Sequence, residues 1–450
     1  MLDNLDKDII QSLEADLEEG QVEQHKAMLT EAHPADIAEL VEDISLDAGK
    51  VLFAQLPAEL TAEVLMELNP ELRADYLEDY SGTQIATLLV ENLDSDDAAD
   101  LINELDDPIK KEVLSKLEDQ KQAKDLAKLL VYPEDTAGAL MGTELIRVNA
   151  KWKVLQCVKE MRKQAEHIEK VHAIYVVDDN NILLGTLSLK KLLTTSTQTP
   201  ISEVYSKRVQ SIEATAEAEE VANTMQKYDL VVIPVVDALG QLVGRITIDD
   251  ALDFIRDEAK EDYNLASGLT DEVESSDTIL RITRARLPWL LIGLVGGLLA
   301  ASVIGRYETD LELLPQMAFF IPLIAAMGGN VGVQSSAIIV QGLASQADMG
   351  NILARLLKEL GVGLLNGIIL GITIIGAGLL LGYSTLLSLT VAVSLVSVIV
   401  AAALIGTFVP LFLDRYKIDP ALATGPFITT LNDILGLFLY FQIGRLLLGL

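Results

Sequence analysis

The sequence predicts a multi-domain membrane protein, with an all-α N-terminal region, an α/β middle region and an all-α part that spans the bilayer. Three observations predict it. Residues 1–130 are acidic with helical periodicity, residues 134–252 alternate strand-like and helical runs, and residues 281–450 contain five long apolar stretches. Residues 253–280 connect the middle region to the first apolar stretch.

Residues 1–130 are predicted to form a superhelical stack of short helices. Apolar residues recur at spacings of three and four, and Asp or Pro opens several of the segments. The segments that begin at Pro34 and Pro57 resemble each other and lie 23 residues apart, which is short for a stacked repeat. This region has no catalytic pattern and is therefore predicted to be a scaffold.

Charge is distributed unevenly along the chain. The 450 residues carry 67 acids and 34 bases, a net charge of −33. Residues 281–450 carry eight acids and nine bases, so residues 1–280 have a net charge of −34. Because such a surface repels phosphates and anionic lipids, we expect no nucleic acid partner. Divalent cations are its natural counter-ions.

Several function classes are excluded by residue usage. Cys157 is the only cysteine, so a disulfide framework or a thiolate zinc site is not expected. The N-terminus is acidic and lacks an apolar core, which argues against a cleaved signal peptide. No nucleotide-hydrolysis loop or nucleophile triad is visible, so the protein is not expected to be an enzyme. The histidines follow no ligand pattern and are interpreted as structural: His25, His33, His167 and His172.

The five apolar stretches are each long enough to cross a bilayer, which needs about 20 residues of helix. They are residues 287–305, 313–340, 357–381, 386–413 and 421–450. Arg and Lys concentrate before the first stretch, near the connection between the second and third stretches, and between the fourth and fifth. By the positive-inside rule, the N-terminal region is cytoplasmic and the C-terminus is outside. The membrane is predicted to be the plasma (inner) membrane.

Two of these stretches contain residues that anchoring does not require. The second contains a polar, glycine-rich run at residues 328–336, which hydrocarbon tolerates where backbone is buried in protein or lines a cavity. The fifth contains Asp433, and a carboxylate at that depth costs about 2.5–3.5 kcal/mol on insertion scales. The nearest base in sequence, Arg445, is about three turns away. Asp433 is therefore either a protonated group bonded within the bundle or an ion site on a conduction path.

The middle region contains a repeat with a period of 59 residues. A valine-rich strand, a turn and a second strand occur at residues 172–188 and again at 229–250. The repeat resembles a pair of tandem CBS domains, predicted at 134–199 and 200–252. The second copy has the complete family motif in Gly244, Thr247 and Asp250, whereas Lys191 replaces the acid in the first. The resemblance implies that ATP or another adenine nucleotide binds there, with Thr247 and Asp250 as the matching positions.

The connecting segment 253–280 is acidic and amphipathic. A helix would place Glu258, Glu261 and Asp262 on neighbouring turns. This pattern fits either a solvated linker helix or a regulatory element.

Taken together, the chain resembles the MgtE family of magnesium channels over essentially its whole length. The sharpest motifs are GGN-x-G-x-Q at residues 328–334 and DPALATGPF-x-TT-x-ND at 419–433. The resemblance implies a homodimer with a pore on its twofold axis, Asp433 in the selectivity site and the connecting helix as a plug. It also implies Mg²⁺ binding at further acids: Asp96, Asp100, Asp229, Asp249, Asp253, Glu258, Glu261 and Asp262, with Asp419 near the inner mouth of the pore.

The chemistry of Mg²⁺ agrees with this resemblance. Mg²⁺ prefers octahedral oxygen ligation and keeps several waters, whereas softer metals would favour Cys or His, which the apolar stretches lack. We therefore predict a Mg²⁺-selective uptake channel that cytoplasmic Mg²⁺ closes by stabilising a compact state. The alternatives are a carrier for Co²⁺ or Mn²⁺ and a membrane-bound Mg²⁺ or nucleotide sensor that does not conduct.

Overall fold

The computed structural model describes residues 29–168, 170–271, 273, 278–344 and 351–450. The predicted helices of residues 1–28, with His25, lie outside the described residues. The chain divides into a first unit, Met1–Ile255, and a second unit, Arg256–Leu450. Each is described by itself.

The N-terminal part of the first unit is helical, as predicted. Its helices are α1 (Pro34–Asp43), α2 (Leu46–Phe53), α3 (Ala58–Glu67), α4 (Pro70–Leu77), α5 (Gly82–Gln84), α6 (Ser95–Glu104), α7 (Asp107–Lys116) and α8 (Gln120–Leu129). Side chains cap several N-termini: Asn69 accepts from the Leu72 amide, and Ser81 forms a reciprocal capping box with Gln84. Such caps satisfy amide groups that the helix itself leaves without acceptors.

One buried arginine holds three of these helices together. Arg73 on α4 donates to the carbonyl oxygens of Leu65, Met66 and Leu68, each at 2.8 Å. These carbonyls lie at the C-terminal end of α3, where a helix leaves acceptors unpaired and favours a positive charge. The guanidinium also pairs with Glu104 on α6 at 2.5 Å, which fixes the end of α6 relative to α3.

The two predicted CBS copies each form a three-stranded sheet, and the helical and CBS fold classes are thereby confirmed. The elements are β1 (Ile146–Asn149), α9 (Val154–Gln164), β2 (Ile174–Val177), β3 (Leu183–Leu187), α10 (Leu189–Thr194), β4 (Ile212–Glu213), α11 (Ala218–Tyr228), β5 (Val232–Val236) and β6 (Leu242–Thr247). In each sheet the first strand pairs in parallel and the last antiparallel with the central strand. Gly185 pairs with Val176 and Gly244 with Val235, so the 59-residue repeat is also a repeat of register.

The connecting helix α12 (Ile248–Ser267) crosses the boundary between the two units. Of the predicted connecting segment 253–280, residues 279–280 already belong to the first membrane helix, and α12 covers residues 253–267. Gly268 follows with φ of 77°, a left-handed conformation that commonly ends helices at glycine. Glu272 and residues 274–277 lie outside the described residues.

The second unit contains helices that match the predicted membrane spans. They are α13 (Ile279–Gly305), the short α14 (Glu308–Leu313), α15 (Ile321–Ala344), α16 (Ile352–Leu380), α17 (Thr385–Arg415) and α18 (Gly425–Leu448). Among the described residues, five helical segments are long and apolar enough to cross a membrane: Ile279–Gly305, Pro315–Ala344, Ile352–Leu380, Thr385–Arg415 and Pro420–Leu448. Four of these segments begin one to eight residues before the predicted stretches, because helices continue past the apolar region into polar flanks, and the second begins two residues after its predicted start.

Glycines allow the spans to approach closely. A methyl group placed on Gly367 of α16 would lie 3.1 Å from Val396 Cα on α17. A methyl group on Gly406 of α17 would lie 2.4 Å from the carbonyl oxygen of Gly332 on α15. Such contacts leave no room for larger residues, and they bring α15, α16 and α17 together as small residues do in membrane bundles.

Candidate functional site

Asp433 lies in α18 against a glycine surface of α15. A methyl group on Gly329 would lie 3.8 Å from Asp433 Oδ1, and one on Gly332 would lie 1.9 Å from Asn432 Nδ2. The Asp433 side chain is half-buried, while Asn432 is 2 % exposed. The glycine-rich run of the second span therefore lets the two helices meet where the fifth span is polar, which the predicted motifs alone did not establish.

The base nearest to Asp433 in sequence has another partner. Arg445 Nε lies 2.7 Å from Asp310 Oδ2 on α14. Arg445 therefore does not supply the counter-charge for Asp433. Because a carboxylate at membrane depth normally faces water, a partner or an ion, Asp433 is the principal candidate cation site of the second unit.

Asp419 is placed at the entrance to α18. Its Oδ1 accepts from the Ala421 amide at 2.8 Å and begins a short 3₁₀ turn, Pro420–Ala423. The Ser336 hydroxyl on α15 donates to the Ala423 carbonyl at 2.9 Å, so this turn is fastened to the second span. The Asp419 side chain is exposed, which keeps it accessible at the end of the span.

The end of the connecting helix contacts the start of α18 within the second unit. Gly425 has φ of 51°, and a methyl group there would lie 2.6 Å from the Ala266 carbonyl oxygen. A methyl group on Gly268 would lie 2.9 Å from Pro426 Cγ. The Thr270 hydroxyl and amide both approach the Ala285 carbonyl of α13 at 3.1 Å. The end of α12 therefore lies on the start of the fifth span and is anchored to the first.

A second candidate site is an acidic cluster in the first unit, formed by Asp94, Asp96 and Glu144. One carboxylate oxygen from each lies within 4.8 Å of the other two. Ser95 organises the group, because its Oγ donates to Glu144 Oε2 at 2.9 Å and accepts from the Thr143 amide at 2.7 Å. The donor set consists of carboxylate oxygens, the ligands that Mg²⁺ prefers.

Burial and mutual repulsion oppose the ionisation of these acids. Desolvation, followed by the charge of Asp250, raises the pKa of Asp96 well above its usual value. Desolvation and then Asp250 raise the pKa of Asp97 to about 7. Desolvation and then Glu104 raise the pKa of Asp100 to about 6. A bound cation would relieve this repulsion.

A buried arginine lies at the edge of the acidic cluster. Arg245 on β6, 7 % exposed, donates from Nε to the Glu144 carbonyl at 2.6 Å, and its Nη2 lies 3.4 Å from Asp94 Oδ2. It therefore joins α6, the segment before β1 and the second CBS sheet, all within the first unit.

The predicted ligands fall into two groups. Asp96 belongs to the acidic cluster, and Asp100 interacts electrostatically with Asp250 beside it. Asp229 is the exposed left-handed residue that ends α11, with φ of 51°. The others lie on α12, where Asp262 is half-buried and the rest are exposed: Asp249, Asp253, Glu258 and Glu261. Among the described residues of the single chain, Asp229 and the predicted ligands on α12 form no group of three acids like that of Asp94, Asp96 and Glu144.

Sequence reasoning missed Asp94, Asp97, Glu144 and Glu359. The run Asp94-Ser95-Asp96-Asp97 at the start of α6 was a usable signal, but nothing local links it to Glu144, about 50 residues away. Glu359 was detectable as an acid inside the third apolar stretch, and its Oε1 accepts from Ser335 Oγ on α15 at 2.6 Å.

The CBS pair contains an open cleft and a much smaller cavity. The open cleft, of about 380 Å³, is lined by both copies, including His172, Ser188, Arg208, Val232 and Pro234. The smaller cavity, of about 10 Å³, is lined by residues that include Glu144, Lys170, Tyr175 and Arg245.

The predicted nucleotide residues do not line the open cleft. Asp250 Oδ2 accepts from the Thr247 amide at 3.0 Å and from the Thr247 hydroxyl. The charge of Asp250 acts on Asp96 of the acidic cluster. The open cleft includes Ser188 of the first copy, whose motif carries Lys191 in place of the acid.

Comparisons with known proteins match the chain along its length. Residues 32–135 match the MgtE intracellular N domain, 137–196 and 201–257 match the CBS domain, and 321–443 match the MgtE divalent cation transporter family. The magnesium transporter MgtE of Thermus thermophilus is 35 % identical over 442 residues, covering 97 % of this chain and 98 % of that protein. The magnesium transporter MgtE of Bacillus subtilis is 30 % identical, covering 95 % of this chain and 94 % of that protein.

Solved structures resemble the first unit. The crystal structure of the cytosolic domain of the Mg²⁺ channel MgtE in complex with ATP is 33 % identical, with a TM-score of 0.51, and it covers 54 % of this chain and 99 % of that one. The soluble part of a magnesium transporter is 28 % identical, with a TM-score of 0.50, covering 56 % of this chain and 98 % of that one. With near full-length identity above 30 %, this chain belongs to the MgtE family of magnesium transporters, multi-pass membrane proteins with a cytosolic N-terminal domain, and it is not an enzyme.

Proposed function

We propose that this protein is a Mg²⁺-selective channel for Mg²⁺ uptake along the membrane potential, closed by cytoplasmic Mg²⁺. The observation that carries the proposal is Asp433, an acid in the fifth span that faces a glycine surface while Arg445 pairs elsewhere. Mg²⁺ dehydrates reluctantly and is bound by few carboxylates while it keeps its waters. Gly329 places no bulky side chain against the Asp433 carboxylate.

The functional form is proposed to be a homodimer in the plasma (inner) membrane, with the pore on its twofold axis and the C-terminus outside. Two copies would bring two Asp433 carboxylates to one axis, which suits a divalent cation. Asp419, exposed at the start of the fifth span, would attract cations at the inner mouth.

Closure is proposed to follow from Mg²⁺ binding at the acidic cluster and at the acids of α12. Metal that binds only the compact state stabilises that state by linkage. Desolvated, mutually repelling carboxylates make the compact first unit costly without a cation. The gate itself is proposed to be the end of α12, which lies against Gly425 and Pro426. Asp229, Asp249, Asp253, Glu258, Glu261 and Asp262 are proposed as further ligands in the closed dimer.

The test is Mg²⁺ flux into proteoliposomes under an imposed potential. Wild type and the exposed-acid control Asp414→Asn should conduct equally, Asp433→Asn should lose flux or selectivity, and Mg²⁺ on the N-terminal side should stop wild-type flux. Equal transport of Co²⁺ or Mn²⁺, with Mg²⁺ excluded, would indicate a carrier for those ions. No flux under any condition would indicate a non-conducting sensor, and unchanged flux in Asp433→Asn would show that Asp433 is not needed for conduction. Flux that continues when Mg²⁺ is added on the N-terminal side would contradict the gating proposal but not the channel proposal.

A second function, adenine nucleotide binding, is favoured by the open CBS cleft. The cavity of about 380 Å³ presents Arg208, His172 and Ser188, which suit a phosphate and a ribose, and a solved relative is a complex with ATP. Because Lys191 replaces the usual acid, the ribose would depend on other groups. Calorimetric titration with ATP should show binding that Arg208→Gln weakens and Lys163→Gln, an exposed position outside the lining, does not. Equal affinity in Arg208→Gln would remove the phosphate role.

A further inference from the structure

The C-terminal end of the fifth span is fastened to the segment between the first and second spans. Arg445 Nε lies 2.7 Å from Asp310 Oδ2, and Nη2 lies 3.4 Å from Asp310 Oδ1. Asp310 is 5 % exposed. The two-point geometry of an arginine–carboxylate pair fixes orientation as well as distance.

An aromatic stack supports this pair. The Arg445 guanidinium carbon lies 4.7 Å from the centre of the Tyr307 ring, within the range of a cation–π contact. The Tyr307 ring stacks on Phe441 with centres 4.7 Å apart and planes 12° apart. Gln442 Nε2 donates to the Tyr307 hydroxyl at 2.8 Å. Tyr307 and Asp310 thus contact three residues near the C-terminal end of α18: Phe441, Gln442 and Arg445.

The same part of α18 also contacts the beginning of the second span. The Tyr440 hydroxyl donates to the Met317 carbonyl at 2.9 Å. A methyl group on Gly444 would lie 2.4 Å from Met317 Cε. Because Met317 lies in the 3₁₀ turn that runs directly into α15, these contacts set how far α18 extends along α15.

Asp433 lies on the face of α18 that makes these contacts. Tyr440 and Gly444 follow it by 7 and 11 residues, which are close to two and three full turns. Asp433 faces Gly329 of α15 while Tyr440 and Gly444 face Met317 before α15. An axial slip at the C-terminal end of α18 would therefore move Asp433 along Gly329.

A purely structural role is the competing explanation for the ion pair. Asp310 is buried but the Arg445 side chain is 43 % exposed. A partly exposed pair contributes little net stability, whereas an ion pair can specify register. We propose that Asp310 and Arg445, stacked on Tyr307, are positioning residues that set the height of Asp433 beside Gly329 and thereby the discrimination of Mg²⁺ from the larger Ca²⁺. This inference rests on the proposed channel function and names a determinant of its selectivity.

The test compares Mg²⁺ and Ca²⁺ flux in proteoliposomes for Asp310→Asn, Arg445→Gln and the double exchange Asp310→Arg with Arg445→Asp. The single variants should lower the Mg²⁺-to-Ca²⁺ flux ratio several-fold while their flux still requires Asp433. The exchange should recover part of the ratio. Glu312→Gln, an exposed acid on the same short helix, is the matched control and should keep the wild-type ratio.

Arg445→Lys keeps the positive charge but loses the two-point geometry, and it carries the test if the neutral variants do not fold. It should also show a reduced ratio. A wild-type ratio in the folded variants, even with reduced total flux or thermal stability, would overturn the positioning role. Absence of Asp433-dependent flux in wild type would instead overturn the proposed channel function, so the two failures are distinguishable.

Discussion

Arg245 and Asp94 are 151 residues apart in the chain, yet their side chains form an ion pair at 3.4 Å. Asp94 precedes α6 of the helical domain and Arg245 lies on β6 of the second CBS copy. The guanidinium is buried and also holds the Glu144 carbonyl. Arg245 is therefore a resident positive charge at the acidic cluster, and we expect it to compete with any metal ion that binds Asp94.

Replacing Arg245 with Gln should have opposite effects on stability and on Mg²⁺ affinity. The metal-free protein should lose about 1–3 kcal/mol, because a buried charged donor and its hydrogen bonds are removed. The acidic cluster should bind Mg²⁺ several-fold more tightly, since Asp94 loses its partner. Thermal unfolding as a function of Mg²⁺ concentration measures both effects. Arg147→Gln, at an exposed position, is the control. An unchanged Mg²⁺ midpoint in Arg245→Gln would contradict the competition.

Glu144 is expected to be a ligand of the regulatory Mg²⁺. Glu144→Gln keeps the size of the side chain and removes its charge, so closure should need several-fold more Mg²⁺ on the cytoplasmic side. Flux measured across a series of Mg²⁺ concentrations checks this. Glu203→Gln changes an exposed acid of the same unit and should leave the closing concentration unchanged. If both variants close at the wild-type concentration, Glu144 is not a ligand.

Without metal, the first unit should become less stable as the pH rises. The folded-state pKa values of Asp100 and Asp97 are raised to about 6 and about 7, above the unfolded value of about 3.9. The folded protein therefore binds more protons than the unfolded protein. The stability that these protons contribute is fully present below the unfolded pKa and is lost as the pH rises through the folded values.

Thermal unfolding of the full chain in EDTA should show this loss between about pH 4 and about pH 7. Added Mg²⁺ should increase the stability of the first unit more at the higher pH, because the carboxyl groups have then lost their protons and their negative charges repel one another. Asp97→Asn should flatten the dependence. A metal-free stability that increases over this interval would show that other groups dominate.

The contact between Gly425 and Ala266 should be needed for tight closure. Gly425→Ala adds a methyl group 2.6 Å from the Ala266 carbonyl oxygen, so the end of α12 must move away from the fifth span. We expect residual flux at Mg²⁺ concentrations that close wild type. Gly382→Ala is a matched control, since Gly382 also has positive φ, 83°, but nothing lies within 4 Å of the added atom. Full closure in Gly425→Ala would argue against α12 as the gate.

Much of the architecture was predictable from local pattern. Spans are encoded by about 20 consecutive apolar residues, and the CBS repeat by matched residues such as Gly185 and Gly244, which also proved equivalent in register. Asp433 was identifiable because an ionisable residue in a long apolar stretch is costly. The partner of Arg445 was not predictable, because Asp310 lies 135 residues away.

The sequence by itself determined the order of the domains, the five spans and the depth of Asp433, because each depends on residues that are neighbours in the chain. Only the tertiary structure decided that Glu144 joins Asp94 and Asp96, and that both CBS copies line one open cleft. It also decided that Arg445 pairs with Asp310 rather than facing Asp433. The physical reason is that hydropathy and periodicity report the environment of a segment, whereas ion pairs and cavities depend on which distant segments pack together.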